Sequence, residues 1–156
     1  MSDKINPFEK KKKGVFFFKS SNPYEFYDLL NGKNMDDKQD VWGTLIFPEN
    51  AKKPCPLIIP IHGSAGLREG HHTHMVNLLD AGFAIFRIHH FESRGVISIV
   101  ENQTEVTLAS MITDAFRALT LVSKHPDVDS DKIGIMGWSL GAVSYTHLRA
   151  HETRRY

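Results

Sequence analysis

Three short apolar runs, Leu57–Ile61, Phe83–Ile88 and Ile133–Met136, are separated by stretches whose apolar residues recur at helical spacing. This alternation constrains the fold more than any other feature of the chain. An uninterrupted apolar run of that length is the pattern of a strand buried on both faces. Parallel strands need a crossover between them, usually a helix. Thr73–Ala81 predicts one such helix, with Gly82 suited to a left-handed cap. Leu108, Met111, Ile112, Ala115, Phe116, Leu119 and Val122 mark the apolar face of another. Asn102 and Glu105 form a capping pair at its start, Pro126 ends it, and Asp127–Lys132 reads as a polar loop. Upstream, Val15–Lys19 and Val41–Phe47 read as strands around a short helix, Tyr24–Leu30, framed by turns at Asn22-Pro23 and Asn31-Gly32. Pro60 fits awkwardly in its strand, because it cannot donate to a ladder. The whole pattern predicts an α/β fold, a parallel sheet covered by helices on both faces.

Composition narrows the class further. The 156 residues suit one domain, and 41% hydrophobic with 24% charged residues are globular proportions. A net charge of +1 gives no broad basic face for nucleic acid. The single cysteine, Cys55, cannot form an internal disulfide and reads as a small loop residue between Pro54 and Pro56. No run approaches the ~18 apolar residues of a membrane span, and no apolar core follows the basic N-terminus as in a signal peptide. A cytoplasmic protein is expected, with residues 1–14 as a flexible basic arm around the lysine run Lys10–Lys13.

Directly after the last predicted strand comes Gly137-Trp138-Ser139-Leu140-Gly141, a match to G-x-S-x-G. A serine lifted above a sheet edge on a tight strand-to-helix turn leaves no room for flanking side chains, hence the glycines two residues to either side. Ser139 is the candidate nucleophile, and the Leu140 N–H points at a developing oxyanion. Ile61-His62-Gly63-Ser64-Ala65-Gly66 follows another buried strand, and its glycine-rich turn can present the second oxyanion donor. The Ser64 N–H is the choice, with Gly63 as the neighbour that could replace it. His62 could be a general base, but a base should follow the nucleophile in the chain, so it is assigned to orienting the loop by hydrogen bonding.

With these motifs in place, the chain resembles the dienelactone hydrolase family of α/β-hydrolases over about Val15 to Gly141. The resemblance also rests on Phe18-Lys19-Ser20 with Phe26 and Leu29–Gly32, on Phe91–Gly95, on Asp114–Leu119, and on Val128–Gly134. It implies a three-layer α/β-hydrolase sandwich with a mostly parallel sheet, truncated after the nucleophile elbow. It further implies hydrolysis of a small-molecule carboxylic ester or lactone through an acyl-enzyme, without metal or cofactor. The founding members use cysteine where this chain has Ser139, so the serine esterase-like branch is the better match. A serine peptidase or acyltransferase of the same fold, and a non-catalytic binding domain, are the alternatives.

Among secondary candidates, Arg94 follows the fourth strand at the edge where open α/β sheets bind ligands. It is weighed as a clamp for a substrate carboxylate against a loop-bracing salt bridge. His89 and His90 share that edge as pocket-lining candidates. His71, His72 and His74 cluster without acidic or thiolate partners at ligand spacing, so they read as a solvated helix start and no metal is assigned. Trp138 could line an acyl pocket or pack in the core.

A serine hydrolase of this fold places its acid and then its histidine after the nucleophile. Beyond Ser139 there is no Asp, the one acid is Glu152, and His147 and His151 precede it. Val143–Thr153 resembles the translation of a sequencing-library adapter. The expectation is that 15–142 is the N-terminal part of a hydrolase domain, that 143–156 is a non-native tail, and that the chain as given is inactive. His147 and His151 are spaced as in a zinc helix but lack the intervening glutamate, and take no metal.

Overall fold

The computed structural model describes residues 8, 12–144 and 146. Most of the basic arm and all of 147–156, with His147, His151 and Glu152, lie outside the described residues. The elements run β1 (Gly14–Ser20), α1 (Phe26–Asn31), β2 (Gln39–Ile46), β3 (Cys55–Ile61), α2 (Glu69–Asp80), β4 (Ala84–Ile88), a 3-10 turn (Glu92–Arg94), α3 (Leu108–Val122) and β5 (Val128–Gly137). They build a five-stranded sheet in the order β1-β2-β4-β3-β5. β4, β3 and β5 are parallel, whereas β2 is antiparallel to both β1 and β4. The sheet is therefore mixed, and its parallel half carries the motifs.

The chain steps from β3 to β4 in one direction and back across β3 to β5 in the other. Right-handed crossovers in opposite directions place α2 and α3 on opposite faces. The carboxyl ends of β3 and β5 then flank a switch point, the place where open α/β sheets bind ligands. Leu57, Ile59, Ile61 and Phe86 are fully buried at the sheet centre and form one core cluster with Met111, Ile112, Ala115, Ala118 and Val122 of α3. By contrast α2 buries only Met75.

Several boundaries differ from expectation. Helix α3 is capped by Thr107, whose hydroxyl accepts the Ser110 N–H at 3.1 Å, and Asn102 and Glu105 sit in the preceding turn. Helix α2 starts at Glu69, where the Arg68 N–H donates to His71 Nδ1 at 3.1 Å and the His71 N–H donates to the Arg68 carbonyl at 3.0 Å. Its C-terminal Ala81 is not left-handed; Gly82 is, at φ 90°. Asp129–Lys132 is strand rather than loop, an extension of β5 that reaches Val128 opposite Cys55. Cys55 accordingly belongs to β3 and is buried, and burial pushes its thiol pKa up. Pro60 is accommodated because the β3–β4 register covers only Leu57 and Ile58.

Candidate active site

Ser139 follows β5 with φ 53°, a left-handed conformation that a non-glycine residue rarely adopts. Its side chain is exposed at the sheet edge, and the chain turns at once into the helix begun by residues 140–144. The strain is held by the surroundings. A Cβ on Gly137 would strike the Gly141 carbonyl, and one on Gly141 would strike the Ile61 carbonyl. Both glycines are thus required by close backbone approach. The turn is tied by Gly141 N–H to the Trp138 carbonyl (2.9 Å), Ala142 N–H to the Ser139 carbonyl (2.9 Å), and Trp138 N–H to the Ile61 carbonyl of β3 (3.1 Å). Leu140 lies in the first turn of its helix, where backbone N–H groups have no intrahelical acceptor.

The turn after β3 lies directly against this elbow. A Cβ on Gly63 would be 3.0 Å from Ser139 Cβ, 3.1 Å from the Trp138 carbonyl and 3.5 Å from Ser139 Oγ. The turn is closed by Gly66 N–H donating to the Gly63 carbonyl (3.0 Å). The Ser64 carbonyl accepts from Ile99 N–H (2.8 Å) and Ser98 Oγ (3.3 Å). Ser139, Leu140 and Ser64, the candidate nucleophile and candidate amide donors, are therefore carried by two turns in mutual contact.

His62 is buried beneath this loop, with its Nδ1 donating to the Gly63 carbonyl at 2.9 Å. That bond puts the proton on Nδ1 of a neutral ring. Burial, and then the neighbouring His90, push its pKa down to about 4. The arrangement is the loop-orienting one.

Arg94 is spent inside the protein. Nε donates to Asn22 Oδ1 (2.8 Å), one terminal nitrogen to the His90 carbonyl (2.9 Å) and Asp114 Oδ2 (2.8 Å), and the other to Asp114 Oδ1 (3.0 Å). This is the loop-bracing arrangement, and it leaves too few donors for the substrate clamp weighed above. His90 is fully buried and donates from Nδ1 to Asp114 Oδ2 at 2.8 Å. His89 instead stacks on Trp42 and meets Thr44 Oγ1 at 3.0 Å. His71 stacks on Trp138, the residue before Ser139 (4.3 Å between ring centres, 19°). Burial, followed by the charges of His74, His72 and Arg68, lowers the His71 pKa.

The residue that the sequence named only within a family-like stretch, and gave no role, is Asp114. It lies on the same face of α3 as Met111, Ala115 and Ala118, all buried. An acid on an apolar helix face was the available signal, since a buried carboxylate needs partners.

A strand–elbow–helix serine against a glycine-rich β3 turn, on this sheet, defines an α/β-hydrolase fold. The BD-FAE family model matches residues 44–150, and the chain belongs to that family. The matched span runs past residue 143 into the terminal segment. Among solved structures it is similar to Est1E from Butyrivibrio proteoclasticus with ferulic acid bound (26% identity, 74% of this chain and 45% of that one, TM-score 0.58). It is also similar to a dienelactone hydrolase-like promiscuous phosphotriesterase from metagenomic libraries (17%, 86% and 54%, TM-score 0.52). A third is a glucuronoyl esterase from Solibacter usitatus (20%, 74% and 41%, TM-score 0.55). The latter two likenesses show the fold alone. The chain spans about half the length of these structures. Among curated proteins none matches. No helix among the described residues is long and apolar enough to cross a membrane.

Proposed function

We propose that this chain is the N-terminal part of a serine hydrolase that cleaves a small-molecule carboxylic ester or lactone. The observation that carries this is Ser139 at φ 53°, between two glycines that admit no side chain and against the Gly63 turn. In the reaction, a histidine supplied by the continuation of the chain takes the Ser139 proton as Oγ attacks the ester carbonyl carbon. The carbonyl oxygen becomes an oxyanion held by the Leu140 and Ser64 amides. Collapse expels the alcohol, which takes the proton back from the histidine, and leaves an acyl-serine. Water, deprotonated by the same histidine, then releases the acid and regenerates Ser139. The Trp138–His71 stack offers a flat wall suited to an aromatic acyl group, in keeping with the ferulic acid bound to Est1E.

The 156-residue chain has no acid-then-histidine pair after Ser139 and is expected to be inactive. Loss of such groups costs on the order of 10⁴- to 10⁶-fold in turnover even in intact enzymes. The test is hydrolysis of p-nitrophenyl acetate by the full-length gene product and its Ser139→Ala variant. Turnover that depends on Ser139 is expected; equal turnover in the variant would remove the assignment, and no turnover in either would favour a binding domain.

A further inference from the structure

Asp114 sits in the middle of α3, fully buried, and four donors converge on its carboxylate. Ser20 Oγ, at the end of β1, donates to Oδ1 at 2.5 Å. His90 Nδ1, just past β4, donates to Oδ2 at 2.8 Å, and Arg94 adds a two-pronged pair at 2.8 and 3.0 Å. Burial alone would raise this carboxyl's pKa, but the hydrogen bonds and charges of His90 and then Arg94 outweigh it and hold it below the ordinary value. The group is therefore a fixed anion inside the protein, joining three segments distant in sequence.

The His90 ring held by this anion meets the His62 ring edge-on, with centres 5.5 Å apart, and Phe91 contacts His62 edge-on at 4.4 Å. His62 in turn donates from Nδ1 to the Gly63 carbonyl, and Gly63 touches Ser139. The Nε2 atoms of both rings are buried without a partner among the described residues.

We propose that Asp114 is a positioning residue for the oxyanion hole: through His90 it fixes the His62 ring, whose Nδ1–H holds the Gly63 carbonyl and so aims the Ser64 amide at Ser139. The assignment rests on the serine hydrolase reading above. A peptide unit turned about Gly63 would swing the amide out of reach, and a glycine offers no side-chain resistance to that turn. The network adds resistance to that already given by the Gly66 N–H, which donates to the same carbonyl at 3.0 Å.

The experiment uses the full-length protein and two readouts, steady-state kinetics and affinity for a trifluoromethyl ketone, whose adduct with Ser139 carries an oxyanion. His62→Leu removes the donor to Gly63 and is expected to lower kcat about 100-fold, the scale of losing one oxyanion donor, with KM changed less than about threefold. His62→Asn keeps an N–H near the Nδ1 position and recovers about tenfold of that loss. Asp114→Asn lowers kcat about tenfold or more, and in every variant inhibitor affinity falls by the same factor as kcat. If Asp114→Asn proves insoluble, Ser20→Ala removes one of the four bonds and is read instead, with an expected loss of about twofold to fivefold in both quantities. Variants that change only Tm or KM, in a protein whose turnover is abolished by Ser139→Ala, would overturn the positioning role and leave the nucleophile standing. Turnover surviving Ser139→Ala would overturn the serine hydrolase reading itself.

Discussion

At one edge of the sheet, β1 alternates buried Phe16 and Ser20 with exposed Val15 and Phe17; at the other edge, Ile133, Ile135 and Met136 of β5 are all half-buried without alternation. The β1 edge is a finished antiparallel margin, one face on the core and one toward solvent. Phe17 lies across from Trp42, Lys19 pairs with Asp40 at 2.7 Å, and Ser20 ties the strand to Asp114 of α3. The β5 edge has β3 on one side and half-buried residues on both faces, although it leads into the Ser139 elbow. The difference teaches that the β1 half closes its own margin, while the half that carries the elbow leaves its margin half-covered.

The largest expected effect is on that β5 edge. The 156-residue chain should melt without a cooperative transition and bind hydrophobic dye strongly, whereas the full-length protein should melt sharply. The difference is of the order of a whole domain's stability, about 5–15 kcal/mol. A reversible, sharp melt of the short chain would show that β5 needs no cover.

At the β1 end, Arg94→Met in the full-length protein leaves the buried Asp114 carboxylate without its cation, an expected loss of about 3–5 kcal/mol in denaturant titration. Lys19→Met removes only an exposed pair and should cost under about 1 kcal/mol. Equal losses would erase the distinction between the buried network and the strand surface.

His62 gives a pH signature. Its folded-state pKa of about 4 lies below the ordinary 6.5, so the unfolded chain binds the proton first. Its contribution is therefore complete above pH 6.5 and is lost as pH falls through 6.5 toward 4, about 3 kcal/mol in all. Stability curves of the wild type and His62→Asn should converge across that window; a constant gap would contradict the buried neutral ring. The smallest effect belongs to Phe17→Ser: with Phe17 69% exposed, a change within about 0.5 kcal/mol is expected in the same titration.

How much of this was legible in the sequence depends on the range of the interactions. The elbow was, because Gly137, Ser139 and Gly141 act within five residues of a buried strand. So was the β3 turn. The α3 cap went to Thr107 rather than Asn102, since one hydroxyl accepts the Ser110 N–H and also donates to the Pro23 carbonyl, 84 residues away. Asp129–Lys132 looked like a loop because its local polarity hides a strand, in which these residues lie at the register shift between the Cys55–Val128 and Leu57–Ile133 pairings. An acid on the apolar face of α3 signalled a buried carboxylate, but its partners were hidden for the same reason: Ser20, His90 and Arg94 meet it only after β1, β4 and α3 have packed.

The central claim is that Ser139 is a nucleophile facing an oxyanion hole, and trapping the covalent intermediate tests it most directly. The full-length protein should be treated with a fluorophosphonate, then weighed intact and mapped by peptide mass. One adduct per chain, on the peptide that contains Ser139 and absent from Ser139→Ala, is the predicted result. An adduct on another residue, or an unmodified protein that still hydrolyses p-nitrophenyl acetate, would contradict the account.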